Sequence, residues 1–155
     1  MTMLSRAEPA PSETTTSGLP RLLMIDNNRG DLELIRIAFD EAEIPVSITC
    51  AESGAEGQML LGRVSQGIDA PYVLTLLDLN MPGKNGHDVL TWARAQPTLL
   101  RATIVILTSS GSQSDRRRCL AEGASDVLVK PATFGAVLTL VLGLRSYLYP
   151  ESHTA

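Results

Sequence analysis

Short apolar runs alternate along this chain with segments in which apolar residues recur every three or four positions. Leu22-Leu23-Met24-Ile25 is such a run, and it stops at Asp26-Asn27-Asn28. Asp31 then opens a segment with Leu34, Ile35, Ala38 and Phe39 on one side, the spacing of an amphipathic helix. It ends near Ala42 to Ile44, and Pro45 stops it. Residues 46–51 form a second run. Ser53 is placed to cap a helix over about 55–64, with Met59, Leu60 and Leu61 expected inward. Gly67 and Pro71 break the chain before the stretch YVLTLLDLNMPGKNG, 72–86, whose apolar part ends abruptly at Asp78. Val89, Leu90, Trp92 and Ala93 mark a third helix, closed near Pro97. Residues 103–107 are a fourth run, ending at Thr108-Ser109-Ser110-Gly111. A helix over about 113–122 follows, with Gly123 as its C-terminal glycine. Residues 126–129 are the fifth run, ending at Lys130-Pro131, and a last helix is predicted from Thr133 to about Leu148.

Apolar runs of this length, without alternation, read as strands buried on both faces. Five of them separated by helices predict an α/β fold, a doubly wound sandwich around a five-stranded parallel sheet. Ligands of such sheets bind beyond the carboxyl ends of the strands. Those ends carry Asp26, Asp78, Thr108 and Lys130, so the rule brings these four together.

Composition narrows the class. The chain has 155 residues, 44% of them apolar and 19% charged, with a formal net charge of −4. That is enough for one domain with a sizeable core, and the mild acidity argues against a nucleic-acid surface. Residues 1–19 are rich in Pro, Ser, Thr, Glu and Ala and are expected to be a disordered tail, without the pattern of a signal peptide. The domain is expected over 20–149 and a short tail over 150–155. No apolar stretch reaches the roughly 20 residues of a membrane span. Cys50 and Cys119 lack CxxC spacing; two free thiols in a reduced, cytoplasmic protein are the simple reading, with one disulfide as the alternative. Arg116-Arg117-Arg118 reads as a solvated helix face.

The four strand-end residues suit phosphoryl chemistry. A carboxylate can act as nucleophile and form an aspartyl phosphate. Mg²⁺ takes oxygen ligands and keeps several waters; Asp26, Asp78 and a backbone carbonyl near Asn80 could form its protein shell. A Lys and a Thr hydroxyl can hold phosphoryl oxygens. No His is placed as a base: His87 reads as a surface turn residue, Cys119 as a packing residue, and His153 lies in the tail.

With Asp26-Asn27, Asp78-Leu79-Asn80-Met81-Pro82-Gly83, Asn85-Gly86, Thr108-Ser109 and Lys130-Pro131 in this order, the chain resembles the receiver domain of two-component response regulators. The resemblance runs from Leu22 to about Leu148. It implies the flavodoxin-like strand order 2-1-3-4-5, with Asp78 accepting phosphate from a histidine kinase, Thr108 as switch hydroxyl and Lys130 pairing the phosphate. It implies Mg²⁺ held by Asp26, Asn27, Asp78 and the Asn80 backbone carbonyl, and a cis Lys130–Pro131 bond. Such a protein is a signalling switch, not an enzyme acting on substrates, apart from catalysing its own phosphorylation and dephosphorylation. Two positions depart from the family. Asn27 stands where a second acid is usual, so weaker Mg²⁺ binding and slower phosphorylation are expected. Val127 stands where an aromatic switch residue is common.

The last helix has Val137, Leu138, Leu140, Val141, Leu142 and Leu144, with Tyr147, Leu148 and Tyr149 beyond, more apolar surface than one buried face needs. A homodimer contact is expected there. The segment Asp31-Leu32-Glu33-Leu34-Ile35-Arg36 resembles that of stand-alone receivers paired with phytochrome-type histidine kinases, which often dimerise near the last helix. Two other readings compete. One is a degenerate receiver that docks or dimerises without phosphate, supported by Asn27 and Val127. The other is an aspartyl-phosphate phosphatase of the haloacid dehalogenase type, which would need an acid where Asn80 stands and further acids after the Lys.

Overall fold

A computed structural model describes residues 18–150. The expected tails lie outside the described residues, apart from Gly18, Leu19 and Pro150. Five strands, β1 (Arg21–Ile25), β2 (Ser47–Ala51), β3 (Leu74–Asp78), β4 (Ile104–Thr108) and β5 (Asp126–Val129), form one parallel sheet in the order β2-β1-β3-β4-β5. The helices between and after them are α1 (Arg29–Glu41), α2 (Gly54–Ser65), α3 (Gly86–Arg94), α4 (Gln113–Ala121) and α5 (Phe134–Leu148). This is the doubly wound sandwich that the alternating pattern predicts.

Side chains of a strand alternate between faces, and each strand divides its apolar residues accordingly. Leu22 and Met24 pack with Leu32, Ile35, Phe39, Val141 and Leu144 of α1 and α5. Leu23 and Ile25 pack with Leu61, Val89, Leu90 and Cys119 of α2, α3 and α4 on the other side. Every residue of β3 and β4 is buried.

The register decides where the polar ends fall. Ile25 pairs with Leu77, which sets Asp26 level with Asp78. Asp78 pairs with Leu107, so Thr108 lies one step further along. Thr108 pairs with Val129, so Lys130 is the next step.

Three local expectations change. The first helix starts two residues before Asp31, because the Asn28 side chain accepts from the Asp31 amide and is the N-cap. Its buried face uses Leu32, while Leu34 is exposed. In α2, Met59 is 54% exposed, not inward. The helix instead lays Gly54, Gly57 and Leu61 on the sheet, and a Cβ at Gly57 would come within 2.5 Å of Ile25. That close approach rotates Met59 outward. The Lys130–Pro131 bond is not cis, since the described residues contain no cis peptide bond; trans is the isomer an X–Pro pair favours by roughly 0.5–1 kcal/mol. Ser53 caps α2 as predicted, Thr133 is the N-cap of α5 and not its first helical residue, and Gly123 follows α4 with a φ of 111°. Both cysteines are free.

Gly86 fastens the turn after β3. Its amide donates to the Leu79 carbonyl, and a Cβ there would stand 2.6 Å from the Asp78 carbonyl oxygen. Backbone cannot yield as a flexible side chain can. Gly86→Ala is therefore expected to destabilise the domain by roughly 1–3 kcal/mol, read as a lower urea midpoint with an unchanged m-value. An unchanged midpoint would show that the turn relaxes freely.

Candidate functional site

Asp26, Asp78 and Thr108 are buried at the carboxyl edge of the sheet, with Asp26 and Asp78 each 4% exposed. Each is the polar residue at which an apolar strand stops. The Lys130 ammonium joins them: Nζ lies 2.8 Å from Asp26 Oδ2 and 3.4 Å from Asp78 Oδ1. It also lies 2.9 Å from Asp31 Oδ2. The Asn28 amide donates to Asp26 Oδ1 at 2.9 Å, and the Asn80 amide donates to Asp78 Oδ1 at 3.3 Å. The Lys130 amide donates to the Thr108 carbonyl at 2.7 Å, fixing the end of β5 against that of β4. The Thr108 hydroxyl oxygen accepts from the Ser110 amide at 3.0 Å.

The structure thus brings together Asp26, Asp78, Thr108 and Lys130. Asn27 and Asn80 border the cluster as exposed residues. Asp31 is the member that the sequence reading placed at the opening of the first helix and not in the site. Its signal was available: it sits in the first turn of α1, whose N-terminus emerges directly from the Asp26 strand end. Val127 is buried in the core under α3 and α4 and does not enter the site.

Electrostatics follow from burial. Loss of water and the neighbouring Asp26 charge raise the Asp78 carboxyl, Lys130 and the Asn80 amide oppose the rise, and the result is a pKa pushed up to about 6. Burial lowers the Lys130 ammonium, but its bonds to Asp26 and Asp31 and the charges of Asp26 and Asp78 outweigh that, and the net direction is up. Lys130 therefore stays charged across the physiological range. With all groups ionised, three carboxylates and one ammonium sum to −2.

A parallel sheet with this strand order, and two acids, a hydroxyl and a lysine at its carboxyl edge, define the receiver class. Residues 22–142 match the response regulator receiver domain model, and the chain belongs to that family. It is a response regulator receiver of two-component signalling. It is 31% identical over 136 residues to the transcriptional regulatory protein ResD of Bacillus subtilis, covering 87% of this chain and 50% of ResD. The chain thus spans half the length of that relative. Among solved structures it is similar to the phosphorylated cyanobacterial phytochrome response regulator RcpA, at 25% identity and TM-score 0.75 over 84% of this chain and 94% of RcpA. It is equally similar to RPA3017, a response regulator in red light signalling of R. palustris, with 25% identity, TM-score 0.75 and the same coverages.

The raised Asp78 carboxyl makes a stability prediction for metal-free protein. A proton binds Asp78 more tightly in the folded state than in the unfolded one. That contribution is present below about pH 4 and is lost as pH rises through about 6. Asp78→Asn removes the buried charge, and Lys130 keeps Asp26 and Asp31 as partners. In EDTA the variant should be about 1–3 kcal/mol more stable than wild type at pH 7.5, with the difference vanishing below about pH 4. Chemical denaturation at several pH values measures this. An Asn variant less stable at pH 7.5 would mean that the Lys130 attraction wins.

Proposed function

We propose that the protein is a cytoplasmic phosphorelay switch in which Asp78 accepts a phosphoryl group from a sensor histidine kinase. The observation that carries this reading is the half-buried Lys130 ammonium within reach of both Asp26 and Asp78. An Asp78 carboxylate oxygen attacks the phosphorus of a phosphohistidine, the P–N bond breaks, and the imidazole leaves with the bond pair. Lys130 offers fixed positive charge to the transferred phosphoryl oxygens, and the Thr108 hydroxyl supplies a donor. Occupancy of Asp78 would draw Thr108 toward the phosphoryl group and away from Ser110, altering the segment that leads into α4.

The donor set fits a hard divalent cation. All the candidate ligands are oxygens, which Mg²⁺ prefers. The ionised cluster's −2 matches the charge of one such ion. Asp26, Asp78, the Asn80 carbonyl and Asn27 would hold Mg²⁺, which lowers the charge repulsion met by an incoming phosphate. The kinase is proposed to be of the phytochrome type, supported by the likeness to RcpA and RPA3017.

A homodimer through α5 is part of this reading. Phe134 and Leu142 are exposed, and half-buried Leu138 lies between them at four-residue spacing. They make an apolar seam beside the stripe of buried Val137, Val141, Leu144 and Leu148, about a quarter turn around the helix. Among the described residues no helix is long and apolar enough to cross a membrane. A receiver that docks without phosphate keeps the support of Asn27 and Val127; the intact Asp26–Asp78–Lys130 cluster favours the phosphorylated switch.

Incubation with acetyl phosphate and Mg²⁺ should yield a singly phosphorylated protein by intact mass, and Asp78→Asn should abolish it. Absence of phosphoprotein at saturating Mg²⁺ would instead support docking without phosphate. Asn27→Asp should tighten Mg²⁺ binding by roughly tenfold, since affinity follows ligand charge; unchanged affinity would remove Asn27 from the metal's surroundings. Leu142→Glu should shift the sedimentation coefficient from dimer to monomer with the fold intact. Monomeric wild type, free or phosphorylated, would rule the seam out.

A further inference from the structure

His87 and Cys119 read from the sequence as a turn residue and a packing residue, yet the fold places them together. His87 is the second residue of α3. Cys119 lies in the last turn of α4, and Glu122 is the C-cap of that helix. The three-residue spacing puts Cys119 and Glu122 on one side of α4. The candidate ligand atoms of His87, Cys119 and Glu122 all lie within 4.8 Å of one another. His87 Nδ1 is 2.5 Å from Glu122 Oε1, while Arg118 Nε donates to Glu122 Oε2 at 2.9 Å. The second carboxylate oxygen is thus tied down, and the first is aimed at the imidazole. Cys119 is fully buried, whereas His87 and Glu122 side chains keep 14% and 20% of their surface in solvent.

We propose that His87, Cys119 and Glu122 form a second metal site, for a borderline-soft divalent cation of the zinc class. Sulfur, imidazole nitrogen and carboxylate oxygen are all zinc donors, and three protein ligands leave a fourth position for water. Tetrahedral ligand atoms at bond lengths of about 2.0–2.3 Å stand roughly 3.3–3.6 Å apart. The observed atoms lie within 4.8 Å of one another, so reaching that spacing asks for shifts of about an ångström. The charges balance: one thiolate, one carboxylate and a neutral imidazole offset the ion's two positive charges. The oxygen-only cluster around Asp78 suits Mg²⁺ instead, so ligand softness separates the two sites. On binding, the Cys119 thiol gives its proton to solvent, and the His87–Glu122 hydrogen bond is replaced by two metal bonds. A bound ion would fasten the start of α3, just after the turn that follows Asp78, to the end of α4.

The test is a Co²⁺ titration in excess Mg²⁺, which occupies the oxygen site. One equivalent of Co²⁺ should produce a thiolate-to-cobalt charge-transfer band, release one proton, and be displaced by Zn²⁺. Cys119→Ser should abolish the band, His87→Gln should weaken Co²⁺ binding by more than about tenfold, and Cys50→Ser should change neither. Circular dichroism on each variant checks the fold, and His87, which is outside the buried core cluster, gives a substitution that spares the core. No band in the wild type, a band that survives Cys119→Ser, or undiminished affinity in His87→Gln would each overturn the proposal.

Discussion

Two carboxylates held out of water at adjacent strand ends require a cation, and the placement of Lys130 answers that requirement. Isolated buried charges are costly, and a buried pair breaks even only with good geometry and further hydrogen bonds. Here Asp26 accepts from both Lys130 and the Asn28 amide, and Asp78 from the Asn80 amide beside Lys130. The arrangement needs β5 at its exact place beside β4, which the Lys130 amide to Thr108 carbonyl bond supplies. Burial and the Asp26 charge together raise Asp78 against the pull of Lys130, and the remaining shortage of positive charge suits the site to a divalent ion.

Much of this was legible in the sequence, because parallel strands buried on both faces leave little freedom. A run that is apolar on every position must end where it meets water, and the first polar residue then marks the site edge. Asp26, Asp78, Thr108 and Lys130 were all found this way. What escaped depended on rotation and on contacts between distant elements. Met59 is as apolar as Leu61, and only the closeness of Gly57 to Ile25 decides which one faces the core. Asp31 looked like a helix-opening acid. Its bond to Lys130 spans 99 residues and becomes visible only when α1 and β5 are set side by side. His87 and Glu122, 35 residues apart, escaped for the same reason.

Asp31 also changes how Asn27 is understood. The sequence shows a missing acid next to Asp26, and the expectation of a depleted site follows. The fold brings a third carboxylate from one turn into α1, bonded to the lysine and partly open to solvent. The charge of the neighbourhood is thus closer to that of a two-acid strand end than Asn27 alone suggests. Its position differs, however: Asp31 holds the ammonium from the α1 side, away from Asp78.

The order of strands also sets the order of manufacture. A ribosome delivers β1 and β3 long before β5, so Asp26 and Asp78 exist for some 50 residues of synthesis without Lys130. Until that lysine arrives, bringing the two carboxylates together is opposed by their own repulsion. Repulsion between the two carboxylates therefore disfavours closing this sheet edge before Lys130 is available.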